Sequence, residues 1–249
     1  DNFFWGTATS SHQIEGDNFS NDWWEAEQAG KVPHQSGKAC DSYNRYEEDF
    51  DLAKTMHNNA HRFSIEWSRV EPEEGKFDEN VVKHYRKVLE ALRARGLEPF
   101  VTLHHFTNPI WFSRMGGWTN KKSPEYFERY VDFVASRLGN EATYWMTINE
   151  SIIVTSAGYL SGRWPPFHKV DLVGYFFSLK NMARAHKRAY NSLHKHNADV
   201  QVGIVESNNY FEPASIGPMR MLNKTLVFFA KKIRNFAILD DIKNHQDFI

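Results

Sequence analysis

The 249 residues contain a single cysteine, Cys40. No disulfide can form within the chain, which excludes a cysteine-stapled secreted scaffold. No apolar run reaches the roughly 18 residues that suggest a membrane helix. No basic stretch followed by a short apolar segment opens the sequence. A cytoplasmic protein with no membrane partner is the expectation, although the mature form of a secreted protein would read the same way. Excess charge of one sign is missing too: 30 Lys and Arg oppose 31 Asp and Glu, for a net charge of −1. A nucleic-acid partner would normally call for a basic stripe, so none is expected. Neither Gly-x-Gly-x-x-Gly nor Gly-x-x-x-x-Gly-Lys-Ser/Thr follows a strand-like segment, which argues against a nucleotide cofactor.

Aromatic residues are abundant, at 15% of the chain. Most belong in a core, and a minority can line a cleft, since their flat faces suit apolar ligand surfaces.

Short β-like runs alternate with longer helical patterns. The strands are expected at Phe3–Ala8, Ala60–Ile65, Glu98–Leu103, Thr143–Ile148 and Gln201–Val205, with another begun at Asp247–Ile249. Phe77, Val81, Tyr85, Val88, Leu89 and Leu92 recur at helical spacing, with Asp78 a potential N-cap, and Gly96 ends that helix. Ser123 is read as the cap of the next helix, with Pro124 in its first turn and Phe127, Tyr130, Val131, Val134 and Leu138 on its buried face. Further helices are expected over Leu172–Lys195 and Met219–Phe229. Repeated strand–helix units imply parallel strands with right-handed crossovers. Polar clusters follow several strands, at Thr9–Glu15, Glu66–Arg69, His104–Asn108 and Asn149–Ser151. In a (β/α)8 barrel those points converge on one rim, where active sites lie. The pattern therefore favours an α/β fold of the TIM-barrel type over an open doubly wound sheet.

Glu150 closes the apolar strand Tyr144-Trp-Met-Thr-Ile148. A carboxyl there points to the barrel mouth, where partly apolar surroundings would favour the protonated form that a general acid needs. A helix-start carboxylate satisfied by backbone N–H groups is the plainer reading. Asn149 beside it can donate to one hydroxyl and accept from another. His105 could donate to a substrate hydroxyl with Phe106 as an aromatic wall, or be satisfied by neighbours at the rim. Gln13, after His12, offers a bidentate amide or is merely solvated. Arg62 lies in an apolar strand and needs a carboxylate partner, because an unpaired buried charge is expensive. Glu66 is one candidate for that partner, and a catalytic carboxylate supplied elsewhere is the other; Glu66 could itself be catalytic, although a salt bridge to Arg69 or another rim charge is the plainer reading. The pairs His57/His61 and His104/His105 come without a recognisable ligand set, so no metal is expected.

Five segments together resemble family 1 glycoside hydrolases, the β-glucosidase and β-galactosidase-like enzymes. They are Phe4-Trp-Gly-Thr-Ala-Thr-Ser-Ser-His-Gln-Ile-Glu-Gly16, Arg62-Phe-Ser-Ile-Glu-Trp-Ser-Arg69, Val101-Thr-Leu-His-His-Phe-Thr-Asn-Pro109, Thr147-Ile-Asn-Glu150 and Gly158-Tyr-Leu-Ser-Gly-Arg-Trp-Pro-Pro166. Their order and spacing match across nearly the whole chain. The resemblance implies that Glu150 is the acid/base and that Asn149 binds the sugar 2-hydroxyl near the nucleophile. It implies that Gln13 and His105 hold hydroxyls of the sugar beside the cleaved bond, and that Arg62 orients the nucleophile. Trp111 is a further candidate, at the cleft entrance or in rim packing. Two positions depart from the family: Ser151 stands where Pro usually follows the acid/base, and Phe106 where Trp is usual.

The implied reaction is retaining hydrolysis of a β-linked sugar without a cofactor. It needs a second carboxylate about 5–5.5 Å from the first. In the family that nucleophile lies in Ile/Val-Thr-Glu-Asn-Gly after the seventh strand, and no such sequence occurs here. Asn244-His-Gln-Asp-Phe-Ile249 resembles the approach to the sixth strand. Residues 1–249 thus read as an incomplete catalytic barrel of about five to six β/α units. A complementary C-terminal segment or chain is the expected partner, a β-glycoside or oligosaccharide the expected substrate, and the isolated chain is expected to be inactive. A transglycosidase of the same fold, or a non-catalytic sugar-binding or assembly half-barrel, are the alternatives.

Overall fold

The computed structural model describes residues 3–214 and 219–248. Five strands form one parallel sheet in sequence order: β1 (Gly6–Ala8), β2 (Ala60–Ser64), β3 (Glu98–His104), β4 (Tyr144–Asn149) and β5 (Gln201–Val205). Each expected strand is present. β1 is shorter than expected because β2 begins at Ala60, opposite Gly6, so Phe3–Trp5 have no strand to pair with. Trp5 instead gives its carbonyl to the N–H groups of Asn59 and Ala60. The expected sixth segment is represented by Phe248, which bridges Gly203 of β5 in parallel; Ile249 lies outside the described residues. A Cβ at Gly203 would lie 2.6 Å from the Phe248 carbonyl oxygen, so glycine is what lets the two backbones meet.

Helices cover one face of the sheet. Glu79–Ala94 starts where the Asp78 side chain accepts the Asn80 N–H at 2.8 Å, and Gly96 follows it with φ +64°. Val82, Tyr85, Val88, Leu89 and Leu92 are its buried residues, while Phe77 and Val81 are partly covered. In Ser123–Leu138 all five expected apolar residues are fully buried. Ser123 is the first residue of that helix rather than its cap: Lys122 holds the cap position, and the Ser123 hydroxyl turns to the Trp118 carbonyl. The longest helix, Leu172–His196, opens on Asp171, which accepts the Gly174 N–H. A helix over Arg220–Lys231 matches the expectation for that region.

Strand alternation separates two faces. Phe63, Val101, Trp145 and Val202 are buried in the core beneath the helices. Their neighbours Arg62, Phe100, Tyr144 and Gln201 lie in one lateral register, Arg62 opposite Phe100, Phe100 opposite Tyr144 and Tyr144 opposite Gln201. All four are only half-buried. Phe100 and Tyr144 stack there with ring centres 4.4 Å apart, and Phe4 closes edge-on against both. In a closed (β/α)8 barrel such a layer is interior. The sheet and its helices match the first half of that barrel.

Candidate active site

The polar segments gather at the C-terminal ends of the strands. β4 delivers Asn149 and Glu150 just after a register shift against β5 between Met146 and Asn149, which breaks the regular alternation. Asn149 is buried. Glu150 is half-buried and left-handed, with φ +50° and ψ +56°. That conformation is unusual for a residue with a Cβ and is held from both sides. The Glu150 N–H donates to Val205 O at 2.7 Å, and its carbonyl accepts from Val154 at 3.0 Å.

Arg62 sits two strands away on the inner face. Burial lowers its pKa, and the charge of Glu150 acts in the opposite direction, so the two groups share one electrostatic environment. The buried Arg62 Nε has no hydrogen-bond partner among the described residues. Glu66 does not supply one. Its carboxylate accepts from the hydroxyls of Ser11 at 2.6 Å, Ser68 at 2.5 Å and Thr107 at 3.0 Å. The expected Glu66–Arg69 ion pair is absent as well. Arg69 donates to Glu15 instead, at 3.0 Å, because β1–β2 pairing brings the first polar segment beneath it.

His105 is buried beside Arg62. Desolvation first, then the positive charge of Arg62 and the neighbouring His104, push its pKa down to about 3, so the ring is neutral at ordinary pH. A neutral imidazole there offers one donor and one acceptor to a ligand. Phe106, left-handed at φ +73°, packs edge-on against His105 at 4.5 Å. The aromatic surface continues through Trp164, 4.9 Å from Phe106, to Trp23, 5.4 Å further. Trp164 and Trp23 were not singled out from sequence, although Trp164 lies inside one of the five segments.

Gln13 is exposed, on a one-turn helix over Ser11–Ile14, and Ser10 donates to its Oε1 at 2.6 Å. His12 beside it faces inward, bonded to Asn21 at 3.0 Å and Glu27 at 3.3 Å. Trp111 stands apart from this cluster: its indole N–H donates to Glu71 O at 2.8 Å, and its ring lies against Trp67 and the Arg129 guanidinium. The histidine pairs are engaged elsewhere, His61 with Thr7 and Thr9, His104 with Asn108. Among the described residues no group of three His, Cys, Asp or Glu is placed to hold a metal, and no helix is long and apolar enough to cross a membrane.

Glycosyl hydrolase family 1 matches residues 1–237. Beta-glucosidase A of Thermotoga maritima is 34% identical over 222 residues, which are 86% of this chain and 50% of that protein. The human cytosolic beta-glucosidase is 30% identical over 93% of this chain and 54% of its own length. Among solved structures, a beta-glycosidase from Pyrococcus horikoshii superposes with a TM-score of 0.89 at 41% identity, covering 96% of this chain and 55% of the other. The chain thus spans about half the length of the relatives it matches. With the half-barrel, the five segments in order and the family match over residues 1–237, the chain belongs to glycosyl hydrolase family 1.

Proposed function

We propose that this chain is the acid/base half of a retaining β-glycosidase that hydrolyses terminal β-linked sugars, active once the rest of the barrel completes it. The observation that carries this reading is Arg62: a half-buried guanidinium whose buried Nε has no partner among the described residues, on the inner face within electrostatic reach of Glu150. A partly desolvated cation without a counter-charge calls for a carboxylate. A nucleophile held there would attack the anomeric carbon while Glu150 gives its proton to the departing oxygen. The carboxylate of Glu150 would then take a proton from water, whose oxygen attacks the same carbon, frees the sugar from its ester and restores the nucleophile. Gln13, His105 and Asn149 would bind sugar hydroxyls, and Phe106 would offer an apolar face. The relatives' names include beta-glucosidase and 6-phospho-beta-galactosidase, so β-glycosides of both kinds belong in the assay.

The test is turnover of aryl and alkyl β-glycosides by the full-length protein carrying Glu150→Gln. Loss concentrated on poor leaving groups, with azide accelerating breakdown of the covalent intermediate, supports the assignment. Equal loss on every leaving group, with no azide rescue, overturns it.

A further inference from the structure

The backbone that aims Glu150 is gripped by the adjacent strand, and the grip includes a residue with no assigned role. Glu206 directly follows β5 and is half-buried. Its Oε1 accepts the Ser151 N–H at 3.0 Å and also the Ser151 hydroxyl. Val205, one residue earlier, accepts the Glu150 N–H. The two consecutive amides that follow Asn149 are therefore both tied to the end of β5, one through a backbone carbonyl and one through a side chain. This matters because Glu150 is left-handed, a conformation strained for a residue with a side chain, which persists only when its surroundings enforce it.

Ser151 is suited to this arrangement and proline is not. Proline at the same position would have neither the N–H nor the hydroxyl that Glu206 accepts. The second carboxylate oxygen, Oε2, is buried without a hydrogen-bond partner among the described residues. Burial favours the neutral form of this carboxyl, opposed by the two Ser151 bonds, by the nearby Ile152 N–H and, most weakly, by the charge of Arg234. A half-desolvated carboxyl kept at this cost has a use if it fixes what it binds.

We infer that Glu206 is a positioning residue for the acid/base: through Ser151 it fixes the Glu150 backbone in the left-handed conformation that aims the carboxyl at the departing glycosidic oxygen. The inference deepens the glycosidase reading and rests on it.

Proton donation is the step that depends on this aim, and leaving groups differ in how much they need it. In the full-length enzyme, Glu206→Ala is expected to lower kcat/KM for alkyl β-glycosides about 30-fold or more, but for 2,4-dinitrophenyl β-glycosides less than about 3-fold. Glu206→Gln keeps an acceptor oxygen and is expected to restore the alkyl substrates to within about 5-fold of wild type. Ser151→Ala keeps the N–H and loses the hydroxyl, so a smaller loss with the same leaving-group bias is expected. Equal losses on both substrate classes, or a Gln variant no better than Ala, overturns the inference. Should Glu206→Ala fail to fold, Ser151→Ala decides, and an unbiased loss there overturns it. A wild-type enzyme without turnover, or Glu150→Gln with full activity on alkyl glycosides, removes the glycosidase reading itself. Glu150→Gln impaired beside an unbiased Glu206→Ala removes only the role of Glu206.

Discussion

Thr147 on β4 and His186 on the longest helix are joined by a 2.6 Å hydrogen bond in the interior. The other ring nitrogen, Nε2, lies 2.6 Å from the His245 carbonyl oxygen. A carbonyl only accepts, so Nε2 carries the proton and Nδ1 accepts from the Thr147 hydroxyl. One neutral imidazole therefore ties β4, the strand that delivers Glu150, to the segment that leads into the Phe248 bridge.

His186→Phe keeps a planar ring, somewhat larger than imidazole, and leaves the Thr147 hydroxyl and the His245 carbonyl without their bonds. A loss of about 2–4 kcal/mol is expected from the two stranded groups. Urea unfolding of the 249-residue chain measures it, and hydrogen exchange should show residues 243–248 opening first. An unchanged midpoint would show that the link contributes nothing.

Acid should weaken the fold along a defined slope. Burial lowers the pKa values of His61, His84, His104 and His186 to about 4 and of His105 to about 3, against 6.5 for the unfolded rings. A group depressed in the folded state stabilises fully above its unfolded pKa, and that contribution is lost as pH falls from 6.5 toward the folded value. Glu15 and Asp22 act oppositely: burial raises them to about 7 and about 6, so their contribution is lost as pH rises from about 4 toward those values. Five strongly depressed imidazoles outweigh the two strongly raised carboxyls, at about 1.4 kcal/mol per group per pH unit. Stability is expected to rise with pH between about 4.5 and 6, readable by thermal melts across that range. A flat or falling curve contradicts the buried-histidine account.

Periodicity made the sheet and its helices legible, because burial follows a period of two in strands and 3.6 in helices. Phe127, Tyr130, Val131, Val134 and Leu138 needed nothing more. The polar pairings did not yield in the same way. Arg69 is three residues from Glu66 but bonds Glu15, 54 positions away, and Ser151 bonds Glu206 across 55. Sequence proximity favoured the wrong carboxylate for Arg69, because side-chain direction at a strand end depends on the neighbouring strand. Trp164 and Trp23 were hidden for a related reason: a cleft wall has no periodicity, and only the folded loops bring the rings to Phe106.

Trp164→Ala removes the middle of the wall formed with Phe106 and Trp23. Stacking of this kind contributes about 0.5–1.5 kcal/mol beyond area burial. In the full-length enzyme KM for an aryl or oligosaccharide substrate is expected to rise about 3- to 10-fold with kcat little changed. A fall in kcat with KM unchanged would place Trp164 outside substrate contact.

Arg62→Met separates the requirements of folding from those of chemistry. In the 249-residue chain the guanidinium is half-buried, and its Nε lacks a partner among the described residues. Methionine follows much of the same path without a charge to desolvate. Replacing a partly desolvated, unpaired charge by an apolar side chain should leave this chain equally stable or raise its stability by up to about 1 kcal/mol. Under the proposed function, the same change in the full-length enzyme should cost at least about 100-fold in kcat/KM, because a nucleophile held by Arg62 would lose the group that orients it. If Arg62→Met destabilises the 249-residue chain as a broken ion pair would, by about 3–5 kcal/mol, the guanidinium already has its carboxylate within this half of the barrel. The reading of Arg62 as a vacancy awaiting the nucleophile would then fail.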